Sequence, residues 1–370
     1  MPDIFSPDIS PHSKVASSMR HGSNIDPHNR FERIDRERDL EQVQWDDEYL
    51  RTLDHRSIEY LDDKSRTVVA ENKSPDLPFR YSLNPYRGCV HGCSYCYARP
   101  THEFSGMNAG LDFETKIIVK REAPRLFREF LSRKSWQSEP IMFSGVTDCY
   151  QPAEREFQLT RQCLEVASEC EQPVNIITKN ALVTLDLELL ASMARRNLVH
   201  VFISITTLDP ELARNMEPRT STPTARLRAI RMLADAGVNV GVMVAPVIPG
   251  LNDHEIAKIL SEAKRAGAMA AGYVLLRLPL TVEPVFREWV QRMYPQQEEK
   301  IFGRVQQTRD GKMNSSDFGI RMTGKGEIAE QIKSMFRLFC KKHDLVRKMP
   351  PLSCDRFRPP EDSSGQMRLF

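Results

Sequence analysis

From Tyr81 onward the chain alternates short apolar runs with amphipathic stretches, and this alternation predicts most of its architecture. Six runs are β-branched or apolar and of buried-strand length: residues 81–86, 140–144, 174–178, 199–205, 238–245 and 272–276. Between them the apolar positions fall at helical spacing. Residues 154–169 carry Phe157, Leu164 and Ala167 and open on carboxylates, which complement a helix N-terminus. The stretch 185–196 ends in Arg195 and Arg196, cations at a helix C-terminus. Helices over 224–236 and 253–266 stop at Gly237 and Gly267, with Asn252 or Asp253 as the cap of the second. An extra strand, 116–119, and a helix, 123–133, fall between the first and second of the six strands. Strands separated by helices in this way imply parallel β-α repeats of the α/β class. Six are too few for a complete eight-stranded barrel.

The flanks read differently. Residues 1 to about 30 are polar, rich in Ser, His, Pro and Asp, and show no apolar period, which predicts disorder. Residues 31–63 are highly charged with scattered Ile34, Leu40, Trp45, Leu50 and Leu53, compatible with surface helices or a strap around the core. After Pro279 helical patterns replace the alternation: 282–293, 298–309 and a long helix over 327–343, with Ile328, Ile332, Met335, Phe336 and Phe339 at helical spacing. The expected division is a polar, partly disordered extension (1–75), a β/α core (76–280), a helical C-terminal part (281–347) and a flexible tail (348–370).

Composition narrows the classes. A 370-residue chain with 40% apolar residues holds a real core, and a net charge of +2 argues neither for nor against a nucleic-acid partner. No apolar run approaches the roughly 20 residues needed to span a bilayer. Eight cysteines without an apolar signal segment point to a reducing cytoplasm and away from disulfides, membrane and secretion.

Three of those thiols, Cys89, Cys93 and Cys96, lie within eight residues in a C-x3-C-x2-C run. Their spacing also suits one face of a helix, but Pro85, Gly88 and Gly92 are loop residues. A zinc site with His91 or His102 as fourth ligand is the other alternative, though the second C-x2-C pair or paired histidines of common zinc patterns are missing nearby. An iron–sulfur cube normally takes four thiolates, so three leave one iron open for a small molecule. The ends of parallel β/α strands carry the chemistry in barrels. There the chain offers Thr147 and Asp148 after strand two, Lys179 after strand three, Ser204 on strand four, and a tight apolar turn over 245–253. Thr147 and Asp148 equally suit a cap for the following helix.

The C-x3-C-x2-C spacing and Tyr95 before the last cysteine resemble the signature of the radical S-adenosylmethionine (SAM) superfamily. The longer pattern LNPYRGCVHGCSYCYARP, SGVTD, ITKN, SITT, EPRT and PVIPGLND resembles its spore photoproduct lyase-like branch over roughly residues 80–280. The resemblance implies a partial (β/α)6 barrel, similar to part of a TIM barrel, and a radical SAM enzyme. It implies a [4Fe–4S] cluster on Cys89, Cys93 and Cys96, with SAM bound at the open iron and cleaved reductively to a 5′-deoxyadenosyl radical. By the same resemblance Lys179 and Ser204 hold the SAM carboxylate, and Tyr95, Thr147 and Asp148 also face SAM. Glu217 and Arg219 either order a loop over the site or pair with each other. Tyr97 matches a flanking tyrosine and is a candidate catalytic residue. In the lyase a strand-two-loop cysteine donates the final hydrogen atom. Gly145 stands at the matching position, and Cys149 substitutes only if the loop is rearranged, so photoproduct repair does not carry over. Expected partners are a flavodoxin- or ferredoxin-like one-electron donor and nucleic acid. The closing residues Gln366, Leu369 and Phe370 resemble the Q-x-x-L-F peptide that docks on the bacterial sliding clamp.

Overall fold

The structure, a computed structural model, describes residues 21–32 and 57–360. Its strands are β1 (Glu59–Asp62), β2 (Val69–Glu71), β3 (Tyr81–Leu83), β4 (Tyr86–Arg87), β5 (Lys116–Val119), β6 (Ile141–Phe143), β7 (Val174–Thr178), β8 (Val199–Ser204), β9 (Asn239–Val247) and β10 (Ala270–Leu275). Seven form the main sheet in the order β10-β9-β8-β7-β6-β3-β2. The six from β3 to β10 in that sheet run parallel, while β2 pairs antiparallel with β3. Strand order follows chain order without reversal, as in a barrel wall and unlike a doubly wound sheet. The sheet has two free ends, so the fold is the α/β partial barrel expected, left open between β10 and β2.

Each wall strand buries at least one face, and β6, β8 and β9 are largely buried on both. Leu83, Ile141, Phe143, Val174, Ile176, Val201, Ile203 and Val242 are 0% exposed and form one core with the surrounding helices. Strands 116–119 and 174–178 match their expected limits. The former belongs to a small second sheet, β1-β5-β4, that braces the chain just before the cysteine run.

Several local expectations are corrected. The helix over 154–169 breaks at Gln158, which sits at φ +49°, leaving Glu154–Phe157 and Leu159–Glu169. The Glu154 carboxylate explains the break, because it accepts from the Thr160 and Arg161 amides at 2.8 and 3.1 Å and so caps the second piece. Neither Asn252 nor Asp253 caps helix Ile256–Arg265. Asn252 instead joins Ile248, Thr206 and Pro246 through its side chain, and Asp253 accepts from Gly250. Residues 21–32 are not loose: Ser23 is fully buried, Asn29 donates to the carbonyls of Glu103 and Met107, and Arg30 pairs with Glu103. Residues 349–360 also touch the body, with Ser353 N bonded to Asn197 O and Arg358 N to Cys170 O. Among the described residues no helix is long and apolar enough to cross a membrane.

Candidate functional site

The cysteine run follows β3 and β4, at the C-terminal end of the first wall strand, and is a series of turns. Gly92 N bonds Cys89 O, Cys96 N bonds Cys93 O and Arg99 N bonds Cys96 O, at 3.2, 3.3 and 3.1 Å. All three thiols are free, with Cys89 and Cys93 buried and Cys96 partly so. Burial raises the pKa of each, so none is ionised by its surroundings alone.

Side chains from the segments after β6 and β7, together with Arg99 just past the run, fix this loop. The Gln151 amide brackets Cys89, accepting from Val90 N at 2.9 Å and donating to Gly88 O at 3.1 Å. Arg99, fully buried, forks onto Cys93 O at 3.1 and 2.8 Å and onto the carbonyls of Ala109 and Gly110. Asp148 ties three elements together: it accepts from Thr178 Oγ1 at 2.7 Å and Lys179 N at 2.8 Å, and faces His91 Nδ1 at 3.5 Å. Asn180 Nδ2 donates to His91 Nε2 at 3.0 Å, which leaves Nδ1 as the protonated nitrogen facing Asp148. Burial, helped by Arg226 and Lys179 and opposed by Asp148, lowers His91 to about 4, so the imidazole is neutral.

Lys179 Nζ lies 5.8 Å from the centre of the Tyr95 ring, and its charge lowers the cost of negative charge on Cys93 and Cys96. The Tyr95 hydroxyl donates to Glu217, which also pairs with buried Arg226. Arg226 in turn donates to Ser204 O at 3.0 Å, so the end of β8 is locked to the floor below Tyr95. Burial raises the Glu217 carboxyl, but Arg226, Lys179 and Tyr95 overcome it and hold the carboxyl below its ordinary range. Glu217 and Arg219 do not pair with each other. Arg219 donates to Val90 O and to Glu114 at 2.8 Å, behind the loop.

The structure therefore brings Cys89, Cys93, Cys96, Tyr95, Asp148, Lys179 and Ser204 around one end of the wall. Two expected residues turn away. Thr147 is buried and spent on structure, accepting from Asn84 at 2.7 Å and donating to Tyr86 O at 2.9 Å. Cys149 is 0% exposed in the main core, its amide bonded to Ser144 and its carbonyl to Thr160, so the thiol does not face the mouth. Asp148 forms an Asx turn with Tyr150 N and caps no helix. Tyr97 stands at the mouth, its hydroxyl donating to Gly145 O at 2.8 Å. Gln366, Leu369 and Phe370 lie outside the described residues.

Sequence reading missed Arg99, Glu114, Gln151, Asn180 and Arg226. Their signal was a charge or amide within a few residues of a motif, which resembles ordinary surface usage until burial is known. Among the described residues no three of His, Cys, Asp and Glu converge as the ligands of a single ion do. Thiolates on a cube each take their own iron and need no such convergence. A loop of three free thiols beside a lysine and several backbone donors fits that group.

Residues 83–263 match the profile of the family described as the Radical SAM superfamily. The uncharacterized protein Rv2578c of Mycobacterium tuberculosis is 39% identical over 232 residues, 61% of this chain and 68% of the relative. The uncharacterized protein MJ0683 of Methanocaldococcus jannaschii is 28% identical over 248 residues, 67% of this chain and 88% of the relative. A solved spore photoproduct lyase variant superposes with a TM-score of 0.57 at 17% identity, covering 86% of this chain and 87% of that one. A second variant, with bound AdoMet and dinucleoside spore photoproduct, gives 0.55 at 17% identity over 78% of this chain and 80% of that one. At that identity the likeness is one of fold.

Proposed function

The chain belongs to the radical SAM superfamily, and from that premise we propose that it is an enzyme acting on nucleic acid through a [4Fe–4S] cluster and SAM. The observation that carries the reading is the loop of three free thiols set beside Lys179 and Tyr95. When bound, the cluster and SAM supply a reductively generated 5′-deoxyadenosyl radical, with the electron brought by a flavodoxin- or ferredoxin-like donor. The chain's own work is to bind, orient and enclose. Cys89, Cys93 and Cys96 hold the cluster, and Gln151 and Arg99 keep the backbone at Cys89 and Cys93 from shifting. Lys179 offers a charge and Ser204 a directional hydroxyl to the SAM carboxylate. Tyr95, fixed by Glu217, forms part of the apolar wall with Ile248 and Leu251, against which an adenine can lie. A neutral His91 keeps a second positive charge away from that wall.

The nucleic-acid reading is supported by the fold shared with spore photoproduct lyase and by the clamp-like peptide. Gly145, at φ +78° and with its carbonyl engaged by Tyr97, has no hydrogen atom to donate from a thiol, which argues against repair of that photoproduct. Eight free thiols suit a cytoplasmic setting. The test is anaerobic incubation of iron-replete, reduced protein with SAM, with and without oligonucleotides. We expect 5′-deoxyadenosine from wild type and none from Cys93→Ala; no product from wild type under any condition overturns the enzyme reading.

A further inference from the structure

Beyond the last wall strand, Arg277 points its guanidinium at the Tyr97 ring, 5.4 Å from the ring centre. Tyr97 is the residue next to Cys96, and its hydroxyl reaches Gly145 at the end of β6. Arg277 thus stands at the mouth, where the two ends of the open sheet face one another. Among the described residues no carboxylate lies within ion-pair distance of it. Its guanidinium donates, among the described residues, only to Met322 Sδ, in a long contact of 3.7 Å, and its Nε is buried without a partner.

The surroundings add positive charge. Arg309 is buried and donates only to the carbonyls of Leu276, Ile320 and Arg321. Arg321 does have a carboxylate, Asp76 at 2.6 Å, from the turn between β2 and β3. Among the described residues these three guanidiniums have one carboxylate within ion-pair distance, Asp76, so this side of the mouth carries an excess of positive charge. Burial and then Arg321 work against the charge of Arg277, partly offset by Tyr97 and Asp76, and burial and then Arg277 lower Arg309 to about 10. A half-buried guanidinium with a partnerless Nε and one weak sulfur acceptor is costly in the free protein and matches the planar, bidentate geometry of a phosphate.

Two exposed aromatic faces flank it. Tyr97 is 44% exposed, and Phe318 is 59% exposed beneath the Arg321 guanidinium, 4.7 Å from its ring centre. Alternating arginines and open rings suit the phosphate and base of a single-stranded or extruded nucleotide. An acidic peptide would use the charges and leave the open rings without a role.

We propose that Arg277 receives a phosphate of the nucleic-acid substrate at the barrel mouth, with Tyr97 and the Arg321–Phe318 pair as the surfaces for the adjoining base. The inference rests on the nucleic-acid reading above and names the residue that would hold the substrate backbone.

The test is fluorescence anisotropy of a labelled oligo-dT and a labelled duplex across 50–200 mM salt. It compares wild type, Arg277→Gln, Arg277→Lys and the remote surface variant Arg125→Gln, with iron content and melting temperature reporting the fold. Arg277→Gln should weaken binding roughly tenfold at low salt and reduce the salt slope by about one. Arg277→Lys should restore the slope and only part of the affinity, because a lysine keeps the charge and loses the fork. Arg125→Gln should match wild type. Wild-type binding with an unchanged slope in Arg277→Gln overturns the inference and leaves the nucleic-acid reading standing. If wild type binds neither oligonucleotide, that reading falls. Direct binding of thymidine 5′-monophosphate or inorganic phosphate, measured by calorimetry on the same four proteins, then decides the phosphate subsite alone: uptake that depends on Arg277 keeps it, and no such dependence removes it.

Discussion

Glu114 offers the sharpest test of how the cysteine loop is supported. Its carboxylate is fully buried and accepts from five donors: Arg99 at 2.5 Å, Arg219 at 2.8 Å, Ser23 N at 2.9 Å, Gly22 N at 3.2 Å and His21 at 3.3 Å. Burial alone would raise its pKa, yet Arg99, His21 and Arg219 bring it down to about 2 from 4.5. That difference corresponds to stabilisation on the order of 3 kcal/mol. The folded value lies below the unfolded one, so the stability is fully present above about pH 4.5 and is lost as pH falls toward 2. Glu114→Gln keeps the shape but removes the charge. It also turns an amide donor toward either the Arg99 and Ser23 donors or the Arg219, Gly22 and His21 donors. Buried Arg99 then loses its carboxylate partner and Arg219 loses one of its contacts, and breaking such a buried pair typically costs about 3–5 kcal/mol. Anaerobic urea denaturation at pH 7 should show the midpoint of the variant lower by roughly 1 M. On acidification from pH 5 toward 3 the wild type should converge on the variant. Coincident midpoints at neutral pH, or a gap that does not narrow in acid, would refute this account.

Three further outcomes follow from the same structure. Cys93→Ala should yield colourless protein after anaerobic reconstitution, whereas wild type is brown and bleaches with dithionite; retained full iron in the variant contradicts the ligand assignment. Glu154 is raised to about 7, chiefly by burial, with bonds from Tyr86, Arg161 and Thr160 pulling partly back. The folded chain therefore holds this proton more tightly than the unfolded one. Stability should decline as pH rises from about 4.5 through 7, by an amount on the order of 3 kcal/mol, and Glu154→Gln should flatten that decline in melting curves. Equal slopes in the two proteins would rule it out. A Leu369→Ala, Phe370→Ala double variant should lose retention on immobilised sliding clamp while wild type is held; equal retention removes the docking proposal.

The wall of the barrel was readable because its strands are short runs rich in β-branched and apolar residues, such as 141–143 and 199–204, each with a fully buried face. Lys179 and Asp148 were readable because a strand end fixes where the next residues emerge. The orientation of individual side chains in those loops was not. Thr147 and Cys149 flank Asp148, and only the bonds to Asn84, Tyr86, Ser144 and Thr160 decide that they face inward. The break at Gln158 depends on a carboxylate four residues earlier, a contact that periodicity does not encode. Residues 21–32 escaped notice for a related reason. They are held largely by backbone and carboxylate bonds, which leave no apolar pattern in the sequence.

The contact between Gly22 and Gly92 bears on how the protein is handled and how it is assembled. A Cβ on Gly22 would stand 1.7 Å from the Gly92 carbonyl oxygen, so no other residue fits between the leading segment and the back of the cysteine loop. An expression clone trimmed to begin at the barrel would strip this cover and leave Glu114, Arg99 and the loop backbone open to water and dissolved oxygen. The leading segment has nothing to dock on until the loop it covers has taken shape. In a ribosome-fed chain, this segment is made before the cysteine loop yet would settle after it, sealing the loop from behind.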